Sequence, residues 1–134
     1  MELAGAHVIV TGAARGIGEA LARRFHAAGA RVVIADVLDP TDVADSLEGA
    51  VGIVADVATE DGNNRLIDVA EAAFGPVDLF FANAGVAVGI DLTTSEADWQ
   101  LAFDVNVNAH RWAAARLLDG WLDRGHGYFC STAS

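Results

Sequence analysis

Lysine is missing altogether: all eight basic residues of this 134-residue chain are arginine, against nineteen aspartates and glutamates. The resulting formal net charge of −11 argues against a nucleic-acid backbone or an anionic membrane surface as partner. Cys130 is the single cysteine, so an internal disulfide framework is impossible and a reducing, cytoplasmic setting is expected. No run of 18 apolar residues exists, which argues against a membrane span. Met1-Glu2 is not followed by a basic and then apolar leader, so no signal peptide is expected. Asp42, Asp45 and Glu48 share helical spacing without partner histidines, which predicts a solvated face and no metal. There is no internal repeat, low-complexity tract or linker.

What is present is apolar: 53% hydrophobic against 20% charged residues, the composition of a globular chain. Residues 1–134 are expected to form one domain that buries roughly two-thirds of its surface. The organising stretch is Val8 to Gly18, V-I-V-T-G-A-A-R-G-I-G. A short apolar strand ends in Thr11-Gly12, and a loop with Gly12, Gly16 and Gly18 opens onto a helical pattern. Glycine lets backbone approach a pyrophosphate, and a helix N-terminus offers unpaired N–H groups and a positive dipole end. The spacing G-x-x-x-G-x-G differs from the commoner G-x-G-x-x-G, and three glycines alone also suit ordinary turns.

His7 to Thr11 reads as a buried strand, and Ile17, Leu21, Phe25 and Ala28 as the apolar stripe of the following helix, stopped by Gly29. Arg31 to Asp36 and Val51 to Asp56 are two more buried strands, each ending in a carboxylate. A short helix is expected from Pro40 through Glu48. Thr59 is an expected N-cap for a helix with the stripe Leu66, Ala70, Ala73 and Phe74, ended by Gly75-Pro76. Val77 to Ala82 is a fourth strand. Ser95 and Asp98 resemble a capping box for a long helix, and Tyr128 to Ser131 is a fifth strand. Strands alternating with helices imply an α/β fold, a doubly wound, Rossmann-like parallel sheet. Right-handed crossovers constrain the layout, and a doubly wound order 3-2-1-4-5 is expected, with the switch point between strands 1 and 4. The loops at that point are T-G-A-A-R-G-I-G and N-A-G.

Asp36 lies eighteen residues beyond Gly18, where a carboxylate accepts from ribose hydroxyls and repels a 2′-phosphate, favouring NAD over NADP. A solvated turn residue is the competing reading, and Arg15 argues mildly for a 2′-phosphate. Asp56, with Val57 beside it, is placed to accept from an adenine amino group or simply to close a strand. Asn83, Ala84 and Gly85 supply small residues where a flat ligand passes backbone. Trp99, Phe103, Asn106, His110, Ala113, Leu117 and Trp121 recur at helical spacing, which puts Asn106 in a buried stripe. A buried amide needs a specific partner, in a core or in a site. His7, His26, His110 and His126 read as core, and the tryptophans as packing. Ser131 and Ser134 follow strand 5 beside the crevice, with no histidine placed to make either a nucleophile.

In order, Thr11-Gly12-x-x-x-Gly16-Ile17-Gly18, Asp36, Asp56-Val57, Asn83-Ala84-Gly85 and Asn106 resemble the N-terminal, cofactor-binding half of a short-chain dehydrogenase/reductase. The resemblance covers essentially the whole chain; each motif is weak and their combination specific. It implies an oxidoreductase that moves hydride between NAD(H) and a small carbonyl or secondary alcohol, homo-oligomeric at full length. It further implies that the glycine loop holds the pyrophosphate, Asp36 selects NAD, Asp56-Val57 meets adenine, Asn83-Ala84-Gly85 lines the cofactor site and Val107 touches the cofactor. Asn106 would help arrange a proton relay. Ser134, closing Gly-x-x-x-x-x-x-Ser from Gly127, would orient the substrate carbonyl, with Ser131 the second choice.

Two features depart from the family. Ala82-Asn83-Ala84-Gly85 stands where Asn-Asn-Ala-Gly is common. More seriously, the Tyr-x-x-x-Lys pair expected after strand 5 is missing: Tyr128 is the one tyrosine, and it lies within the strand. The chain is thus expected to lack the C-terminal strands and helices of the family and to show no turnover alone. The competing readings are a non-catalytic dinucleotide-binding module and a truncated product acting through protein contacts. Strand 5 as an open edge would leave Phe80, Phe81 and Phe129 partly uncovered.

Overall fold

The structure, a computed structural model, describes residues 1–88 and 91–133. Five parallel strands form one sheet: β1 (His7–Thr11), β2 (Arg31–Asp36), β3 (Val51–Val54), β4 (Leu79–Ala82) and β5 (Tyr128–Ser131). Their order is β3-β2-β1-β4-β5, as expected for the doubly wound sheet. The helices are α1 (Gly16–Ala27), α2 (Thr41–Asp45), α3 (Glu60–Phe74), α4 (Glu96–Phe103) and α5 (Ala109–Arg124), with a π-helical turn, Asp104–Asn108, between the last two.

Side chains alternate across the sheet and divide the core into two layers. Val8, Val10, Val32 and Ile34 pack with Ala22, Val43 and Ala44 of α1 and α2. Ile9, Val33 and Phe80 pack with Leu66, Ile67 and Ala70 of α3 and with Ala109, Ala113 and Leu117 of α5. Burying one such Val, Leu, Ile or Phe side chain stabilises the fold by about 1.5–3 kcal/mol. Gly29 (φ +87°) follows α1, and Thr59 caps α3 by accepting from the Gly62 N–H at 3.0 Å. Ser95 caps α4 by accepting from the Asp98 N–H at 3.1 Å.

Several expected boundaries move. β3 ends at Val54 and is an edge strand, with Val54 58% exposed, so it is not a fully buried strand reaching Asp56. β4 begins at Leu79, two residues after Val77. Helix α2 stops at Asp45 because the Ser46 hydroxyl donates to the Val43 carbonyl, and a turn at Leu47 leads to Gly49 (φ +76°). Ile17 leaves the apolar stripe of α1 and is 67% exposed; Gly18 and Ala22 are the buried residues there. On α3 the buried face is Asn63, Leu66, Ile67 and Ala70, while Ala73 is exposed.

The largest difference is on the fourth long segment. A π turn adds a residue to its loop of backbone, so the buried positions advance by four: Val105, Ala109, Ala113 and Leu117. Trp99, Phe103 and Asn106 lie off that stripe and are exposed. Of the histidines only His7 is fully buried, and His126 is exposed. Phe80 is buried and stacks on Phe129 at 5.5 Å, both on the α3/α5 face. Only Phe81, of the three phenylalanines, lies on the α1 face, where it meets Phe25.

Candidate functional site

The carboxyl ends of all five strands border one crevice of about 660 Å³. It is lined by the glycine loop and Arg15, by Asp36 after β2, Asp56 after β3 and Asn83-Ala84-Gly85 after β4, and by Thr132 after β5. The glycine loop and the Asn-Ala-Gly segment therefore do meet, at the switch point between β1 and β4.

The three glycines have different tasks. A Cβ on Gly12 (φ +65°) would lie 2.7 Å from the Ala84 Cα, and one on Gly18 would lie 2.1 Å from the Gly12 carbonyl oxygen. These two let the loop, the helix and the β4 segment pack against one another. Gly16 (φ +61°) has nothing within 4 Å of a Cβ position and is exposed in the crevice. It is the glycine at which backbone is open to a ligand. Helix α1 begins here with Arg15 as N-cap, whose side chain makes no cap bond, and among the described residues its positive end borders the crevice.

Asn83 joins three strands. Its Nδ2 donates to the Thr11 carbonyl at 3.1 Å and to the Gly12 carbonyl at 3.3 Å, while its Oδ1 accepts from the Thr132 hydroxyl at 2.9 Å. The buried Thr11 hydroxyl oxygen accepts from the N–H groups of Asn83 and Ala84, both at 3.1 Å. Asn83 is thus a girder of the site before it is a ligand-facing group.

Asp36 is fixed relative to the loop: one oxygen accepts from the Ala14 N–H at 2.9 Å and the other from the Leu38 N–H at 3.0 Å. Each oxygen keeps further acceptor capacity. Asp56 accepts from the Ala58 N–H at 2.9 Å, with Val57 buried beside it. Two carboxylates thus lie at the β2–β3 end of the crevice, and Arg15 is the one cationic residue among the described lining residues.

Asn106 is not in a core stripe. Its Oδ1 accepts from the Val86 N–H at 2.9 Å and its Nδ2 donates to the Val86 carbonyl at 3.0 Å. The π turn aims it there. That turn is braced by Asp104, whose Oδ1 accepts from Gln100 at 3.0 Å and Asn108 at 2.8 Å. Those two amides, Asn108 first, hold the Asp104 carboxyl below its ordinary value. Val107 is 52% exposed and does not line the crevice, so it is not brought to the other site residues. Ser131 ends β5, exposed and outside the lining, and Ser134 lies outside the described residues.

Eight lining residues escape sequence reasoning, among them Ala35, Val37 and Ala55 beside the strand-end carboxylates. Thr132 follows β5 directly and Val86 follows the Asn83-Ala84-Gly85 segment after β4, positions at strand ends that are themselves the available signal. Leu38, 47% exposed after the β2 carboxylate, was detectable as an apolar residue in an acidic turn. Leu101 and Val105 were hidden by the π turn.

A parallel sheet wound in this order, with a glycine loop and helix N-terminus at its switch point, defines a dinucleotide-type α/β domain. A family model described as short chain dehydrogenase matches residues 6–134, and the chain belongs to that family. It is 35% identical over 131 residues to 3beta-hydroxysteroid dehydrogenase 1 of Eggerthella lenta, covering 92% of this chain and 50% of that protein. It is 37% identical over 128 residues to glucose 1-dehydrogenase 2 of Bacillus subtilis, covering 88% and 49%. A short chain dehydrogenase/reductase from Burkholderia phymatum, solved in complex with NAD, superposes with a TM-score of 0.94 at 32% identity, covering 100% of this chain and 50% of that one. The chain spans about half the length of the curated relatives it matches. No helix among the described residues is long and apolar enough to cross a membrane.

Proposed function

We propose that residues 1–134 are the cofactor-holding unit of an NAD(H)-dependent oxidoreductase, and that the longer protein transfers hydride between NAD(H) and a small carbonyl or secondary alcohol. The observation that carries this is the Asp36 carboxylate, bonded to the Ala14 N–H at 2.9 Å and so held beside the glycine loop. The residues fit a dinucleotide. The first-turn N–H groups of α1, reached past Gly16, would hold the pyrophosphate. Asp36 would accept from the adenosine ribose hydroxyls, and its charge would oppose a 2′-phosphate. Asp56 and Val57 would meet the adenine, and Ala84 and Gly85 the second half of the molecule. When bound, the nicotinamide supplies or takes the hydride.

This chain's residues then hold and orient. Asn106 ties down Val86 and with it the Gly85 edge of the crevice; a Cβ on Gly85 would sit 3.3 Å from the Asn106 Oδ1. Ser134 is assigned to the substrate carbonyl, with Ser131 as the alternative, on the family resemblance. No proton donor of the Tyr-x-x-x-Lys type exists here, because the chain has no lysine. We therefore assign no turnover to the chain alone. Incubating the chain with NAD and a panel of secondary alcohols tests the assignment: no NADH forms above the buffer rate, and turnover would overturn it.

A further inference from the structure

We propose that Thr132 is a binding residue for the second nucleoside of the dinucleotide, acting through its hydroxyl oxygen as a hydrogen-bond acceptor. The inference rests on the dinucleotide reading above and adds a residue and a direction to it.

The argument turns on where one proton must be. The Asn83 amide nitrogen faces two carbonyl oxygens, those of Thr11 and Gly12. A carbonyl oxygen accepts only, so the amide cannot be turned over and its Oδ1 is the atom facing β5. Oδ1 is likewise an acceptor. The Thr132 hydroxyl 2.9 Å away must therefore spend its single proton on it. What the hydroxyl has left is two lone pairs. Thr132 is exposed and lines the same crevice as the glycine loop, so those lone pairs belong to an acceptor that a ligand can reach. The backbone beneath it is held as well, since the Thr132 N–H donates to the Ala82 carbonyl at 3.0 Å.

Position decides which part of a ligand this acceptor serves. The crevice crosses five strand ends, four spacings of about 4.8 Å, or about 19 Å in all. The helix N-terminus suited to a pyrophosphate follows the central strand β1. The carboxylates suited to one ribose and base, Asp36 and Asp56, follow β2 and β3. The opposite end, beyond β4 and at β5, is where a second nucleoside would lie, and its O–H or N–H groups need acceptors. Thr132 supplies one whose orientation is set by Asn83 in advance, so little side-chain freedom is lost on binding.

Calorimetric titration of the chain with NADH and with ADP, which lacks the second nucleoside, separates the possibilities. Thr132→Val keeps the shape and removes the hydroxyl; Thr132→Ser keeps the hydroxyl. The expected result is a three- to tenfold loss of NADH affinity in Thr132→Val, roughly the value of one hydrogen bond, with ADP affinity unchanged and Thr132→Ser close to the wild type. Equal losses for NADH and ADP would show Thr132 to be only a tether for β5, and would overturn the proposal. So would an unchanged NADH affinity, or a Thr132→Ser loss matching that of Thr132→Val. If the unmutated chain binds neither nucleotide, the dinucleotide reading itself fails and Thr132 with it. Wild-type binding of both, with no selective effect at Thr132, sinks only the present inference.

Discussion

The Asn106 side chain pairs with both backbone groups of Val86: one amide accepts from the Val86 N–H at 2.9 Å and donates to its carbonyl at 3.0 Å. The two residues are twenty apart in sequence, and the pairing clips α4–α5 to the segment that follows β4. Asn106→Ala removes both bonds from a partly solvated position. It should lower stability by about 1–2 kcal/mol in urea denaturation and weaken NADH binding through the loosened Gly85–Val86 edge. An Asn106→Ala chain with wild-type stability and wild-type NADH affinity would mean that the clip has no role.

The glycines of the loop are distinguishable by what a methyl group would meet. Gly18→Ala drives a Cβ into the Gly12 carbonyl, 2.1 Å away, so the loop or helix must move and both stability and nucleotide binding should fall. Gly16→Ala meets no protein atom within 4 Å and carries only the strain of its φ of +61°, about 1–2 kcal/mol. It should therefore fold nearly as well as the wild type and yet bind NADH poorly, because its methyl group enters the crevice. Paired urea and NADH titrations read both. Similar stability losses for the two variants would contradict this division of labour.

The acid side of the stability curve should be shaped by His7. Its ring is buried, Nδ1 bonds the Gly75 carbonyl at 2.8 Å, Nε2 has no partner among the described residues, and Phe74 packs edge-on at 5.4 Å. Burial pushes its pKa below the ordinary 6.5, the Arg31 charge adds to that, and the Gly75 carbonyl and Asp78 oppose it. The unfolded chain thus takes up the proton first, and stability rises with pH across this titration. The contribution is complete above about pH 6.5 and is lost as pH falls towards the lower value in the fold. Between pH 7 and pH 5 the urea midpoint of the wild type should fall faster than that of His7→Gln. Parallel curves would show that His7 is not the group responsible.

Much of this was legible in the residues. β1 and β2 are continuous apolar runs because both faces of a central parallel strand are covered, and the order 3-2-1-4-5 is the one expected of a doubly wound sheet. The meeting of Gly12 with Ala84 followed from that order. The π turn was not legible. Helical periodicity assumes a constant step, and Asp104–Asn108 breaks it for a tertiary reason, the partner that Val86 offers Asn106. The side assigned to Phe80 and Phe129 depended on strand register within the sheet, which no local pattern states. Thr132 gained meaning only once the Asn83 amide was seen to face two carbonyls.

The central claim, that this crevice is built for NAD(H), is tested most directly by titrating the chain with NADH and NADPH side by side, then repeating both with Asp36→Ala. The expected result is saturable binding of both nucleotides that is clearly tighter for NADH, with the preference eroded in Asp36→Ala as the carboxylate facing a 2′-phosphate is lost. Absence of saturable NADH binding, or equal affinity for the two nucleotides in the unmutated chain, would contradict it.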